Sequence, residues 1–165
     1  MASNTESIKQ LREKTSAGVM DCRNALNECN GDIDKAEILL VKKGIASASK
    51  KIGRDTNQGI IETYIHSGGR IGSIVEINCE TDFVARTDEF KNLSHDIAMQ
   101  IAAMAPKSVS PEIAPESNLN KDEFLINQPF IKDPSKTIQD LINEHVGKLG
   151  ENIKIRRFER FSLGE

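Results

Sequence analysis

The chain has 165 residues, enough to bury a core either as one domain or as a small module joined to a larger one. Twenty-two Lys and Arg stand against 25 Asp and Glu, a formal charge of -3 that lacks the positive excess a phosphate-backbone binder carries. No run reaches the roughly 20 apolar residues that span a bilayer and no apolar secretion signal opens the chain, so a soluble, cytoplasmic protein is expected.

Six Phe, one Tyr and no Trp leave the core to Ile, Leu, Val and Ala, which suits helices packed on a small sheet. The three cysteines form neither a disulfide framework nor a Cys-x-x-Cys zinc site. On one helix Cys22 and Cys29 would stand about 10 Å apart at 1.5 Å per residue, beyond the roughly 7 Å limit for a bridge. They read as small buried hydrophobes, and no metal or cofactor is expected.

Asn4 or Thr5 can cap a first helix with Ile8 and Leu11 inward, broken at Ser16-Ala17-Gly18. Val19, Cys22, Ala25, Leu26 and Cys29 form the stripe of a second helix, which Asn30-Gly31 can end. Asp32 can cap a third, with Ile33, Ala36, Leu39 and Leu40 inward and a stop at Gly44. Residues 1–45 thus form a three-helix module. Residues 46–58, with Lys50, Lys51 and Arg54, read as a basic helical or flexible linker. A solvated linker is preferred to an RNA contact because no aromatic interleaves the charges.

Residues 59–165 read as an α+β core. From Gly59, Ile61, Thr63 and Ile65 alternate with Glu62, Tyr64 and His66. Ser67-Gly68-Gly69-Arg70 supplies a hairpin turn rather than a phosphate loop, lacking the Walker spacing and its Lys. The return strand, Ile71 to Cys79, contains Gly72, which marks a bulge or a close backbone approach.

Val75, Ile77 and Cys79 alternate at the period of a strand, whereas Phe90, Leu93, Ile97, Ile101 and Met104 recur at helical spacing. Residues 80–86 therefore form a joint carrying Asp82 and Phe83. Either Phe83 is a presented anchor for a partner's pocket, or Phe83 and Val84 turn inward as a staple before a helix capped near Thr87, which spacing alone slightly favours. That helix spans 88–105, with Asp88 and Glu89 in its first turn and Pro106 after it.

A polar crossing follows, marked by Pro106, Pro111 and Pro115 with Ser108, Ser110 and Ser117. A short helix over Lys121–Asn127 stops at Pro129. Ser135 or Lys136 begins a last helix with Ile138, Leu141, Ile142, Val146 and Leu149 inward and Gly150 as C-cap. In the final strand Ile153 and Ile155 alternate but Phe158 is out of phase, predicting a bulge at Arg156-Arg157. The fold class is α+β, with about three antiparallel strands packed on helices.

Convergent chemistry is missing. His66, His95 and His145 fall on separate elements without a His-Glu-x-x-His or Gly-x-Ser-x-Gly pattern, and Ser94 and His95 point about 100 degrees apart on one helix. Glu80 and Asp82 are too open to serve as a tuned acid and base. A non-enzyme is expected.

Four segments carry a family resemblance: Leu11-Arg12-Glu13-Lys14-Thr15-Ser16-Ala17-Gly18-Val19-Met20-Asp21-Cys22-Arg23-Asn24-Ala25-Leu26, then Asn78-Cys79-Glu80-Thr81-Asp82-Phe83-Val84-Ala85-Arg86, Gln128-Pro129-Phe130-Ile131-Lys132-Asp133, and Gly150-Glu151-Asn152-Ile153-Lys154-Ile155-Arg156-Arg157-Phe158. In this order, over nearly the whole chain, they resemble elongation factor Ts, the guanine nucleotide exchange factor of elongation factor Tu. The resemblance implies a ubiquitin-associated-like fold for the N-terminal module. It also implies a partner, elongation factor Tu in its GDP-bound and nucleotide-free forms, with no direct nucleic-acid contact.

In that light Phe83 becomes the apolar anchor and Asp82 its polar companion, flanked by Thr81 and Val84. Arg12, Val19 and Met20 would meet a second surface of the GTPase domain, Val19 standing where the family often has Met. Without an internal repeat or coiled-coil insertion the chain resembles the short form, which implies a homodimer, and its crossing before Phe124 is shorter than in many members. The other reading is a non-enzymatic adaptor or RNA-associated module using the three-helix domain and basic linker.

Overall fold

The computed structural model describes residues 5–15, 17–115 and 118–165; Asn4 as a cap, Ser16 of the first break and Ser117 of the crossing lie outside them. Helices α1 (Thr5–Thr15), α2 (Val19–Glu28) and α3 (Ile33–Ser49) come first. They enclose a small core of Leu11, Cys22, Ala25, Leu26, Ala36 and Leu40. The expected stop at Asn30-Gly31 is a Schellman turn. Both residues have positive φ, and the Gly31 and Asn30 N–H groups donate back to Leu26 (2.7 Å) and Asn27 (3.3 Å). Asp32 then caps α3 by accepting the Lys35 N–H at 3.0 Å. Val19 leaves the expected inward stripe and is exposed, since it is the first residue of α2 and the buried residues of that helix are Cys22, Ala25 and Leu26.

Gly44 does not stop α3. The helix runs on to Ser49, and at Gly44 it crosses α6 (Ile138–Leu149), where a Cβ on Gly147 would stand 3.4 Å from the Gly44 Cα. The first residues expected in the linker are thus helical, and just beyond them Lys51 Nζ donates to the Val146 carbonyl at 3.4 Å.

Strands β1 (Gln58–Ile65), β2 (Ile71–Cys79) and β5 (Ile153–Ser162) form an antiparallel sheet in the order β1-β2-β5. On its inner face Ile60, Tyr64, Val75, Ile77, Cys79, Ile153, Ile155 and Phe158 meet Phe90, Leu93, Ile97 and Ile101 of α5 (Asp88–Met104) and the apolar side of α6. Ile61, Thr63 and Ile65 lie on the opposite face and are exposed. Pairing is regular through Gly72, so no bulge sits there. A Cβ at Gly72 would lie 2.6 Å from Ile65 Cδ1, and the glycine makes room for that side chain. The expected bulge near Arg156 is present: β5 skips one residue where the register passes from Glu76 to Ile77. The Glu76 carboxylate is gripped there by Arg157 at 2.8 Å and Arg156 at 3.3 Å, which holds it below the usual carboxylate range.

The expected short helix over 121–127 is two 3-10 turns, Lys121–Glu123 and Leu125–Asn127. The last helix starts later than Ser135 or Lys136. Residues 133–137 form β4 (Asp133–Thr137), paired with β3 (Pro129–Phe130), a second sheet that periodicity does not announce in so short a segment. A capping box then opens α6: the Asp140 N–H donates to Thr137 Oγ1 at 3.2 Å, and the Thr137 N–H donates to the Asp140 carboxylate at 2.9 Å. Gly150 closes it in the left-handed region at φ 79. The fold is α+β.

Candidate partner-binding site

The joint between β2 and α5 is built by hydrogen bonds from three directions. Strand β2 ends on Cys79, whose buried thiol donates to the Thr81 carbonyl at 3.1 Å. Thr81 is extended and caps a one-turn helix, α4 (Asp82–Ala85), its Oγ1 accepting the Val84 N–H at 3.4 Å. At the other end Thr87 Oγ1 donates to the Val84 carbonyl (2.7 Å) and accepts the Phe90 N–H (3.2 Å), which starts α5. Four residues of helix have little stability of their own, so these caps define the segment.

The turn sorts its side chains sharply. Val84, 8% exposed, and Ala85 join the core, while Phe83 stands 82% exposed. The inward staple is therefore Val84 alone, and Phe83 projects into solvent. Asp82 is exposed and pairs with Arg86 one turn on, at 2.7 Å. Glu80 points elsewhere. It accepts the Asn152 N–H at 2.6 Å and lies 3.4 Å from Arg54, so the two carboxylates are engaged by separate donors.

On the N-terminal module Arg12 of α1 and Val19 and Met20 of α2 are exposed, Met20 by 60%. The histidines stay apart: His66 is 3.2 Å from the Tyr64 hydroxyl, His95 is 3.7 Å from Glu62, and His145 Nδ1–H donates to the Leu141 carbonyl at 2.8 Å while its Nε2 lies 3.3 Å from Glu89. The buried Ser94 hydroxyl donates to the Phe90 carbonyl at 2.8 Å. Among the described residues no group of His, Cys, Asp and Glu is arranged to hold a metal, and no helix is long and apolar enough to cross a membrane.

Two residues at this site escape periodicity altogether. Glu151 accepts both the N–H and the hydroxyl of Thr81, and Asn152 binds the carbonyls of Ile52 and Arg54. Both sit in the turn after α6, some 70 to 100 positions from their partners, and only their place in the Gly150-Glu151-Asn152 string singles them out.

A three-helix module precedes an α+β core, and an aromatic, Phe83, stands exposed on a one-turn helix at the end of the central strand. The family model described as elongation factor TS matches residues 3–124. Elongation factor Ts of Caldanaerobacter subterraneus is 47% identical over 194 aligned positions, covering 98% of this chain and 97% of that protein. Those of Thermoanaerobacter pseudethanolicus (47%, covering 98% and 95%) and Carboxydothermus hydrogenoformans (47%, covering 98% and 89%) are similar to the same extent. The chain belongs to the elongation factor Ts family. An alignment of 194 positions exceeds its 165 residues, so the first of these relatives carries residues without a counterpart here.

Proposed function

We propose that this protein is a translation elongation factor that acts as the guanine nucleotide exchange factor of elongation factor Tu, binding its GDP form and promoting GDP release through contacts alone. The observation that carries this reading is the exposure of Phe83, 82%, on a turn whose other apolar residues, Val84 and Ala85, are buried. An aromatic exposed at the tip of a capped turn is the kind of side chain that anchors an interface by filling a partner's pocket. Phe83 is the anchor, and Asp82 is the polar companion that fixes it near the elements supporting the partner's magnesium and phosphate site. Thr81 and Val84 belong to the same contact as the cap and the buried post beneath the tip.

The energetics are those of linkage. The factor by which this protein weakens GDP is the factor by which GDP weakens this protein. A ten-thousandfold coupling corresponds to about 5.5 kcal/mol of differential contact, in which no group here touches the nucleotide. Residues 1–45 form a module that meets a second surface of the GTPase domain through Arg12, Val19 and Met20, and it raises the effective concentration of the tip. Residues 46–58 link it to the 59–165 core. Two of the three basic residues of this linker are drawn into the fold, Lys51 toward Val146 and Arg54 toward Glu80, which favours the exchange reading over an RNA contact. The protein works in the cytoplasm as a homodimer, with the exposed sheet face of Ile61, Ile65 and Phe161 as the surface that pairing would cover.

Release of labelled GDP from elongation factor Tu, followed with and without this protein, tests the reading directly. Acceleration at substoichiometric amounts is expected; an unchanged release rate with saturating protein would overturn it.

A further inference from the structure

We infer that Glu151, in the turn between α6 and β5, is a positioning residue for the Asp82–Phe83 tip, an inference that rests on the exchange-factor reading above. Its carboxylate accepts the Thr81 N–H at 3.0 Å and the Thr81 hydroxyl at 2.6 Å. Thr81 is the N-cap of α4, so both bonds act on the residue from which Phe83 projects two positions later. By accepting the hydroxyl's hydrogen bond, Glu151 turns an oxygen lone pair toward the Val84 N–H, which approaches at 3.4 Å. The cap and the carboxylate are thus one device: the carboxylate sets the hydroxyl, and the hydroxyl sets the first turn.

Among the described residues no side chain nearer in sequence accepts the Thr81 hydroxyl. A four-residue helix cannot hold its own conformation, and Glu151 has no Lys or Arg partner among the described residues that would otherwise account for its charge. Its placement comes from the left-handed cap at Gly150 on one side and from Asn152 on the other. Asn152 is buried. Its N–H donates to Glu80 at 2.6 Å, and its carboxamide donates to the carbonyls of Ile52 at 3.2 Å and Arg54 at 2.9 Å. One short turn therefore fixes the tip, the end of β2 and the chain descending from α3 relative to one another. A contact made by an exposed aromatic loses its effect when the aromatic is misplaced by about 1 Å, so a residue that fixes the tip acts on exchange without touching the partner.

The test uses the full chain and GDP release from elongation factor Tu over a range of exchange-factor concentrations, which separates the maximal rate from the half-saturating concentration. Glu151→Ala is expected to slow the maximal rate about fivefold or more, the scale of losing one N-cap, with the half-saturating concentration changed less than about twofold. Glu151→Gln keeps an acceptor for the N–H and a partner for the hydroxyl, and should recover most of the rate. Thr81→Val, which removes the hydroxyl at nearly constant volume, should reproduce Glu151→Ala. Added to Phe83→Ala, Glu151→Ala should have little further effect, because it acts through that side chain.

Amide exchange in the free protein gives an independent readout. Val84 should lose protection in Glu151→Ala while the amides of α5 keep theirs. Unchanged Val84 protection, or full exchange activity in Glu151→Ala beside an impaired Phe83→Ala, would overturn the assignment. If Phe83→Ala itself exchanges at the unmutated rate, the tip reading falls, and with it this role of Glu151. Val84 protection would then still show whether the carboxylate orders the turn.

Discussion

Gly44 and Gly147 meet backbone to backbone: a Cβ built on Gly147 would stand 3.4 Å from the Gly44 Cα, and this crossing seats α3 on α6. The two glycines respond differently to substitution. A Cβ on Gly44 meets nothing within 4 Å. Gly44→Ala should therefore stabilise by about 0.5–1 kcal/mol, the helix-interior preference for Ala, raising the melting temperature by about 1–4 °C. Gly147→Leu has no room against α3 and should lower it, with faster proteolysis of residues 50–57. Thermal melts and limited proteolysis check both, and a Gly147→Leu protein melting with the parent would show that the helices do not cross so closely.

Phe83→Ala separates the anchor from a core residue. Truncating an exposed side chain changes folding stability by no more than about 0.5 kcal/mol, whereas truncating an interface anchor weakens binding by about 2 kcal/mol or more. The expected result is an unchanged melt with GDP release slowed at a fixed subsaturating concentration. Asp82→Ala should act in the same direction, and the double variant should lose less than the two singles together because both side chains serve one contact. A folded Phe83→Ala protein exchanging nucleotide at full rate would remove Phe83 from the site.

The outer sheet face gives a prediction about assembly. Ile65 and Phe161 are 66% and 67% exposed and lie on the two edge strands, β1 and β5, either side of Gly72 in β2. The parent should sediment as a dimer at high micromolar concentration, and Phe161→Glu as a monomer with little change in melting. Only monomer in the parent would reject pairing.

Alkaline pH should act through Cys79. Burial pushes its thiol up to about 11, with the Glu151 carboxylate adding to the effect, while a thiol in the unfolded chain ionises near about 8.5. The folded state keeps a proton that the unfolded state releases, so this contribution to stability is complete below about pH 8.5 and is lost as pH rises toward 11. Denaturant unfolding of the parent and of Cys79→Ala at pH 7.5 and 10 checks this. The parent should lose more stability between the two, and equal losses would remove Cys79 as the cause. At pH 8 an alkylating reagent should reach the half-buried Cys29 before Cys79.

Wherever one physical requirement acts along a few neighbouring residues, the sequence is sufficient by itself. The Asn30-Gly31 turn, the Gly150 cap, the stripe Phe90, Leu93, Ile97 and Ile101, and the bulge at Arg156 all follow from local periodicity or a glycine's access to positive φ. The family segments Asn78 to Arg86 and Gly150 to Phe158 were legible in the same way, as contiguous strings. Tertiary structure decided the rest. Ile60, Ile61, Tyr64 and Ile65 place apolar groups on both faces of β1, so alternation alone leaves its phase open, and α5 selects Ile60 and Tyr64 for the core. Gly44 reads as a stop, yet α3 runs through it to Ser49 and packs its backbone there against Gly147 of α6, a contact that no local pattern announces. Phe83 and Val84 are adjacent apolar residues with equal local claims on burial. The core has room for Val84, and the caps of a single turn aim Phe83 at solvent. Glu151 reaches Thr81 across 70 residues, a contact no local pattern encodes because it depends on where α6 ends in space.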